Sequence, residues 1–445
     1  LSEDSQQALV PEQYGVAPAE PMDRLDLLDG PNRAADPMAK AAAPSAVAPP
    51  EAAADDGSSR FEPPSSSTSR FVRACLRRPV DRTPVWFLRQ AGRYMPEYMA
   101  VRKHHSLLQI CRSPEIAAEV TITAAERLGV DAAIIFADLL LPFTPMGLDF
   151  EFIANEGPVV HSPIRTLEQV QALRTDRTDD LLYVSRAIEK VAAHFATRPR
   201  TEKLHPQPDQ LGMIGFCGAP FTLASYMIEG GSSRNYIETK KLMYASTSES
   251  RHPERAERVE GPPHLSSPPS SSENPFAWPL LMEKLVTVLA AFAQQQVEAG
   301  ADVIQVFDSW AGALSPTDYR EYALAPTTDL IQRIRALGVP VIYFGVDTAS
   351  LLPAMRETGA DVLGLDWRTP LDQAWRGLGY STAVQGNLDP IALFAPEAVL
   401  HSRVAEILTQ AARRPGHIFN LGHGIVPTTP VEAVLQVVDQ IKQLG

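Results

Sequence analysis

A few short stretches of this chain gather side chains that could do chemistry. Arg89-Gln90-Ala91-Gly92-Arg93-Tyr94 sets two guanidiniums four residues apart around a glycine. Such forks stay charged at any working pH and grip carboxylates through paired hydrogen bonds. Two arginines in surface salt bridges are the plain alternative. Asp138 lies in Phe136-Ala-Asp-Leu-Leu-Leu141, where apolar neighbours make an ionised carboxylate costly unless it is paired or used. Capping a helix start explains the same aspartate equally well. Phe307-Asp-Ser-Trp-Ala-Gly312 offers Asp308 and Ser309, and Asn420-Leu-Gly-His-Gly424 brackets His423 with glycines that let a loop fold closely around a ligand. Tyr226 follows the turn made by Gly218 and Pro220, where packing is the ordinary role of a tyrosine. Cys217 has no base beside it and reads as structural. The pair His104-His105 has no companion ligand at metal spacing, and Gly345-Val-Asp347 lacks the rest of a nucleotide fingerprint.

What positions these groups is a rhythm of apolar runs and helical patterns. The runs are 84–88, 132–136, 211–215, 301–307, 339–344, 360–365, 381–385 and 417–421. Helical stretches such as 330–337 and 351–358 separate them, closed by Gly338 and Gly359. Continuous apolar strands alternating with helices imply a parallel sheet covered on both faces. Eight candidates predict a single (β/α)8 TIM barrel spanning 71–445, whose functional groups sit where strands end. An open doubly wound sheet would need a Gly-rich phosphate loop after the first strand, and none is there.

The first 70 residues differ in kind. Ala, Pro and Ser tracts and twelve acidic against five basic side chains leave no apolar face to bury, which predicts a disordered tail. A second Pro- and Ser-rich stretch, about 246–274, reads as a mobile surface insertion. Leu1 rather than Met opens the chain, implying an absent upstream piece; the tail is too acidic for a transit peptide, so plastid and cytoplasm both stay open. The net charge of −13 argues against nucleic acid or an anionic membrane as a partner. Three cysteines without a CxxC exclude a disulfide framework, and no apolar run is long enough to span a bilayer.

Arg89–Tyr98, Gly218-Ala-Pro-Phe-Thr-Leu223 with Tyr226 and Glu229-Gly-Gly231, and Asn420–Gly424 together resemble the uroporphyrinogen decarboxylase family over roughly 70–444. The resemblance implies a (β/α)8 enzyme without cofactor or metal, commonly a homodimer. Its tetrapyrrole substrate, uroporphyrinogen III, loses four acetate carboxyl groups to give coproporphyrinogen III. By motif position Arg89, Gln90, Ala91, Gly92 and Arg93 fall on the family's substrate-binding loop. Asp138, Tyr226, Ser309 and His423 fall on its other ligand contacts. Asp138 is then expected to steady a cationic intermediate and Arg89 to pass a proton, with Arg89, Arg93 and His423 anchoring carboxylates. Cobalamin- or zinc-dependent methyltransferases on related barrels are the nearest rival, yet no His-x-Cys pair exists to hold zinc. A tetrapyrrole-binding scaffold is the non-enzymatic one.

Overall fold

Most of the apolar runs become strands of one parallel sheet, because each is buried on both faces and flanked by helices. The computed structural model describes residues 69–153, 157–196, 211–246 and 275–445. The tail up to residue 68 and the insertion from 247 to 274 lie outside the described residues. Ser69 and Arg70, assigned to the tail on composition, belong instead to the folded part. The Ser69 side chain caps the helix Arg70–Cys75, and Arg70 is buried.

The strands are β1 (Ala132–Ile134), β2 (Phe150–Ile153), β3 (Gly157–Val160), β4 (Gly212–Gly218), β5 (Val303–Asp308), β6 (Val341–Gly345), β7 (Val362–Gly364), β8 (Ala383–Gln385) and β9 (His417–Ile418). Seven of them form a parallel sheet in the order β1-β4-β5-β6-β7-β8-β9, while β2 and β3 make a separate antiparallel pair. That pair was not anticipated. Its short strands mix Glu, Pro and Gly among the apolar residues, so no alternation runs long enough to register.

The expectation of eight strands is corrected to seven and one bridged segment. The run 84–88 makes a single parallel bridge, Val85 to Phe419. Its ladder is replaced by side chains: the Val85 N–H donates to Asp131 Oδ2 at 2.8 Å and the Leu88 N–H to Asn420 Oδ1 at 3.0 Å. Pro84 has no N–H to give. The segment still touches both ends of the sheet, since Phe419 N–H donates to Pro84 O and Asp131 N–H to Val85 O, each at 2.8 Å.

Register sorts the side chains into two faces. Phe307 pairs with Gly218 and Phe344, so all three share one face with Gly364, Gln385 and Ile418. On that face Trp86 Nε1 donates to Gln385 Oε1, and Gln385 Nε2 donates to Gln305 Oε1. Tyr343 and Asp308 stand on the opposite face. At the N-terminal end of the sheet Asp131 accepts from Arg70 at 2.7 Å and from both terminal nitrogens of Arg82 at 2.6 and 2.8 Å. Gly338 and Gly359 adopt positive φ just beyond their helices, as their placement predicts. Among the described residues no helix is long and apolar enough to cross a membrane.

Candidate active site

The loop after residue 88 supplies the first groups. Arg89 has a left-handed backbone, φ 59°, a conformation that costs energy for a side chain bearing a Cβ. Its side chain runs against the backbone of Gly424: a Cβ there would meet Arg89 Cδ at 2.4 Å. Only glycine at 424 allows this seat. Gln90 is buried, with Oε1 taking the Phe87 N–H and Nε2 donating to Ala132 O. Its side chain ties the loop to β1, so a ligand would meet Gln90 only through its main chain. Gln90 O accepts from the Tyr94 hydroxyl at 2.7 Å. Ala91 and Gly92 are half-buried between the two arginines. Arg93 is exposed and lies within electrostatic reach of Tyr98, whose ring tilts against Phe136.

Asp138 follows β1. It does not start a helix; Oδ1 accepts the Leu140 N–H at 2.9 Å and so caps a local turn. The carboxyl keeps some exposed surface but is deeply surrounded. Burial pushes it up to about 6, while the Leu140 N–H and the Arg89 charge pull the other way. A carboxylate held near 6 is mostly ionised at neutral pH yet poorly solvated, so its field on a nearby cation is strong.

His423 sits in the loop after β9. The Gly424 N–H donates to its Nδ1 at 2.6 Å, which leaves Nε2 to carry the ring proton. Burial, then the charges of Arg89 and Arg368, push the imidazole down to about 4. It is neutral near pH 7, so the group that His423 offers a carboxylate is a hydrogen-bond donor rather than a charge. Arg89 thus acts on both Asp138 and His423, joining three of the expected site residues.

Tyr226, on the helix Pro220–Glu229 that follows β4, and Ser309, on the loop after β5, form a second group. Tyr226 stacks on Trp310, ring centroids 3.8 Å apart. One turn earlier on the same helix, Thr222 Oγ1 accepts the Trp310 N–H and donates to Asp308 Oδ1 at 2.6 Å. Tyr343 donates to Asp308 Oδ2 at 2.7 Å and is itself bonded to Tyr319. Asp308, read as a candidate for chemistry, is fully buried under the helices and anchors this loop from behind. Half-buried Ser309 lies between the anchored aspartate and the stacked tryptophan. Cys217 is buried and its thiol is pushed up to about 12, so it is protonated and inert.

Sequence reasoning missed the loop after β7, where Trp367 packs edge-on to His423 at 6.3 Å and carries Arg368 over its face at 4.1 Å. The strand-end rule would have found it if applied after Leu365.

The fold resembles a methyltransferase from Methanosarcina mazei, with a TM-score of 0.63, 18% identity, and coverage of 85% of this chain and 98% of that one. At that identity the likeness concerns the fold alone. Sequence relatives are nearer. The uroporphyrinogen decarboxylase of Koribacter versatilis is 57% identical over 82% of this chain and 93% of its own length. That of Solibacter usitatus is 48% identical over 84% and 97%. The family model for uroporphyrinogen decarboxylase matches residues 66–444, and the chain belongs to that family.

Proposed function

We propose that the mouth formed by the loops after residue 88, β1 and β9 decarboxylates the four acetate arms of uroporphyrinogen III, giving coproporphyrinogen III. Losing carbon dioxide leaves an electron pair that needs a sink. A pyrrole becomes one when its ring carbon beside the acetate-bearing carbon takes a proton, giving an iminium-like cation. The pair then flows into the ring, carbon dioxide departs, the exocyclic methylene is protonated to a methyl group, and the ring carbon gives up the proton it had gained, restoring the pyrrole. No cofactor is required for this sequence. The observation that carries the reading is the placement of Asp138: a desolvated carboxylate, ionised at neutral pH, beside Arg89. Negative charge fixed where positive charge develops is usually the largest catalytic contribution.

Arg89 and Arg93 take the carboxylates of an eightfold acidic substrate, and Arg89 is the proposed route for the proton. Main-chain groups of Gln90, Ala91 and Gly92 line the same loop. Tyr226 and Ser309 orient an acetate through hydroxyl hydrogen bonds, and neutral His423 donates from Nε2. The bridged segment at Val85 supports the finer architecture, a closed (β/α)8 barrel. Family likeness supports a homodimer, which mass measurement in solution tests. The named relatives are bacterial, which favours the cytoplasm over a plastid. The decisive experiment incubates the protein with uroporphyrinogen under reducing conditions and follows loss of carboxyl groups. Stepwise loss of four is expected; tight binding without loss would point to a scaffold.

A further inference from the structure

We propose that Arg368, in the loop after β7, is a further substrate anchor and holds one of the carboxylates that the reaction leaves in place. The inference rests on the decarboxylase reading and adds to it a residue that no motif of the sequence marks.

The loop 366–369 is fastened from several sides. Buried Asp366 accepts the N–H of Arg368 through Oδ1 and that of Asp347 through Oδ2. Asn387 donates to the carbonyls of Asp366 and Thr369 at 2.8 and 2.7 Å. The backbone of Gly422 lies so close to Trp367 that a Cβ would meet its nitrogen at 2.3 Å. What this rigid loop presents is a guanidinium. It lies over the Trp367 ring, with Nε ion-paired to Asp347 at 2.8 Å and Nη1 donating to Asp366 at 3.3 Å. Nη2 donates no hydrogen bond among the described residues, and the side chain is 43% exposed. A guanidinium oriented by two carboxylates and a ring face is preorganised to accept one more oxygen.

Its surroundings identify the ligand class. Arg89 seats against Gly424 on one side of His423, and Trp367 with Arg368 packs on another. With His423 neutral, the second cation needed at this end of the mouth is Arg368. Asp138 responds to Arg89, whereas His423 responds to both Arg89 and Arg368. Contacts run from Arg89 through Gly424 and His423 to Trp367 and Arg368, so Arg368 stands at the far end of this series from Arg89. A carboxylate bound there is one that is kept. Asp347 does not forbid this: its side chain is 56% exposed, and a solvated ion pair exchanges partners at little cost.

The test is steady-state kinetics on uroporphyrinogen III and on the pentacarboxylate intermediate, which retains the same four unreacted carboxylates. Arg368→Gln is expected to raise KM about tenfold on both, equivalent to ~1.4 kcal/mol, with kcat within about twofold and partial recovery in Arg368→Lys. Unchanged KM, or a loss confined to uroporphyrinogen, overturns the assignment. Asp347→Asn keeps the guanidinium and removes its competitor, so KM should fall or stay level. A rise matching that of Arg368→Gln would mean that the trio only shapes the loop. A wild type without turnover sinks the decarboxylase reading itself; a wild type that turns over beside an unaffected Arg368→Gln sinks only this role.

Discussion

Asp131 and Asp138 flank β1, one at each end, and the chain uses them in opposite ways. Asp131 is saturated: Arg70, Arg82 and the Val85 N–H supply donors to both oxygens. Asp138 has one backbone donor and one guanidinium within electrostatic reach, and its carboxyl is strained upward by burial. The first arrangement ties the helix Arg70–Cys75 and the segment at Val85 to the sheet. The second leaves charge unspent, available to a visitor. Same residue type, same strand, and the difference lies in how many donors each end provides.

The contrast can be broken most severely at the saturated end. Asp131→Ala takes the shared acceptor from Arg82 and the Val85 N–H and leaves Arg70 to Asp81; breaking a buried ionic cluster costs about 3–5 kcal/mol. Denaturant unfolding should show that loss; an unaffected midpoint would mean the cluster is idle. At the other end Asp138→Asn should cut kcat by about 100-fold or more while raising Tm by a few degrees, because an unfavourable buried charge has gone. A variant that lost rate and stability together would erase the distinction between the two aspartates. Next in size is Thr222→Val, which removes the hydroxyl joining Asp308 to the Trp310 N–H; about 1–3 kcal/mol of stability should go with it. Its kcat/KM should drop severalfold and return in Thr222→Ser, whereas unchanged kinetics would show that the Tyr226–Trp310 stack needs no such hold.

The smallest effect sharpens the comparison through pH. Asp138 acts ionised, so kcat/KM should fall as pH drops through about 6, and Asp138→Asn should lack that limb. For stability the sign reverses. The folded state binds this proton more tightly than the unfolded chain, whose carboxyl titrates near 3.8. Asp138's contribution is thus present in acid and lost as pH rises through about 6. His423 works in the opposite sense: pushed down from 6.5 to about 4, it contributes stability above about pH 6.5 that is lost as pH falls toward 4.

Much of this architecture could be read from the residues. The strand at 303–308 and the glycines at 338 and 359 announce themselves because apolar runs and positive-φ turns are local signals. The segment at 84–88 forms only one bridge, since the N–H groups of Val85 and Leu88 go to the side chains of Asp131 and Asn420, partners that only tertiary folding supplies. The site was legible where it is built from one stretch, as at 89–93. Asp308 misled because strand-end position does not tell which face a side chain takes. The charge state of His423 was hidden for a similar reason: it is set by burial and then by Arg89 and Arg368, all of which only folding supplies.

The contacts of Arg89 with Gly424 and of Leu88 with Asn420 join positions at least 332 residues apart. On a ribosome, the arginine loop emerges early and stays unseated until nearly the whole chain has been made. Activity is therefore tied to completed translation: a nascent polypeptide cut short before the glycine-flanked histidine could fold several helices and still offer a tetrapyrrole no place to react.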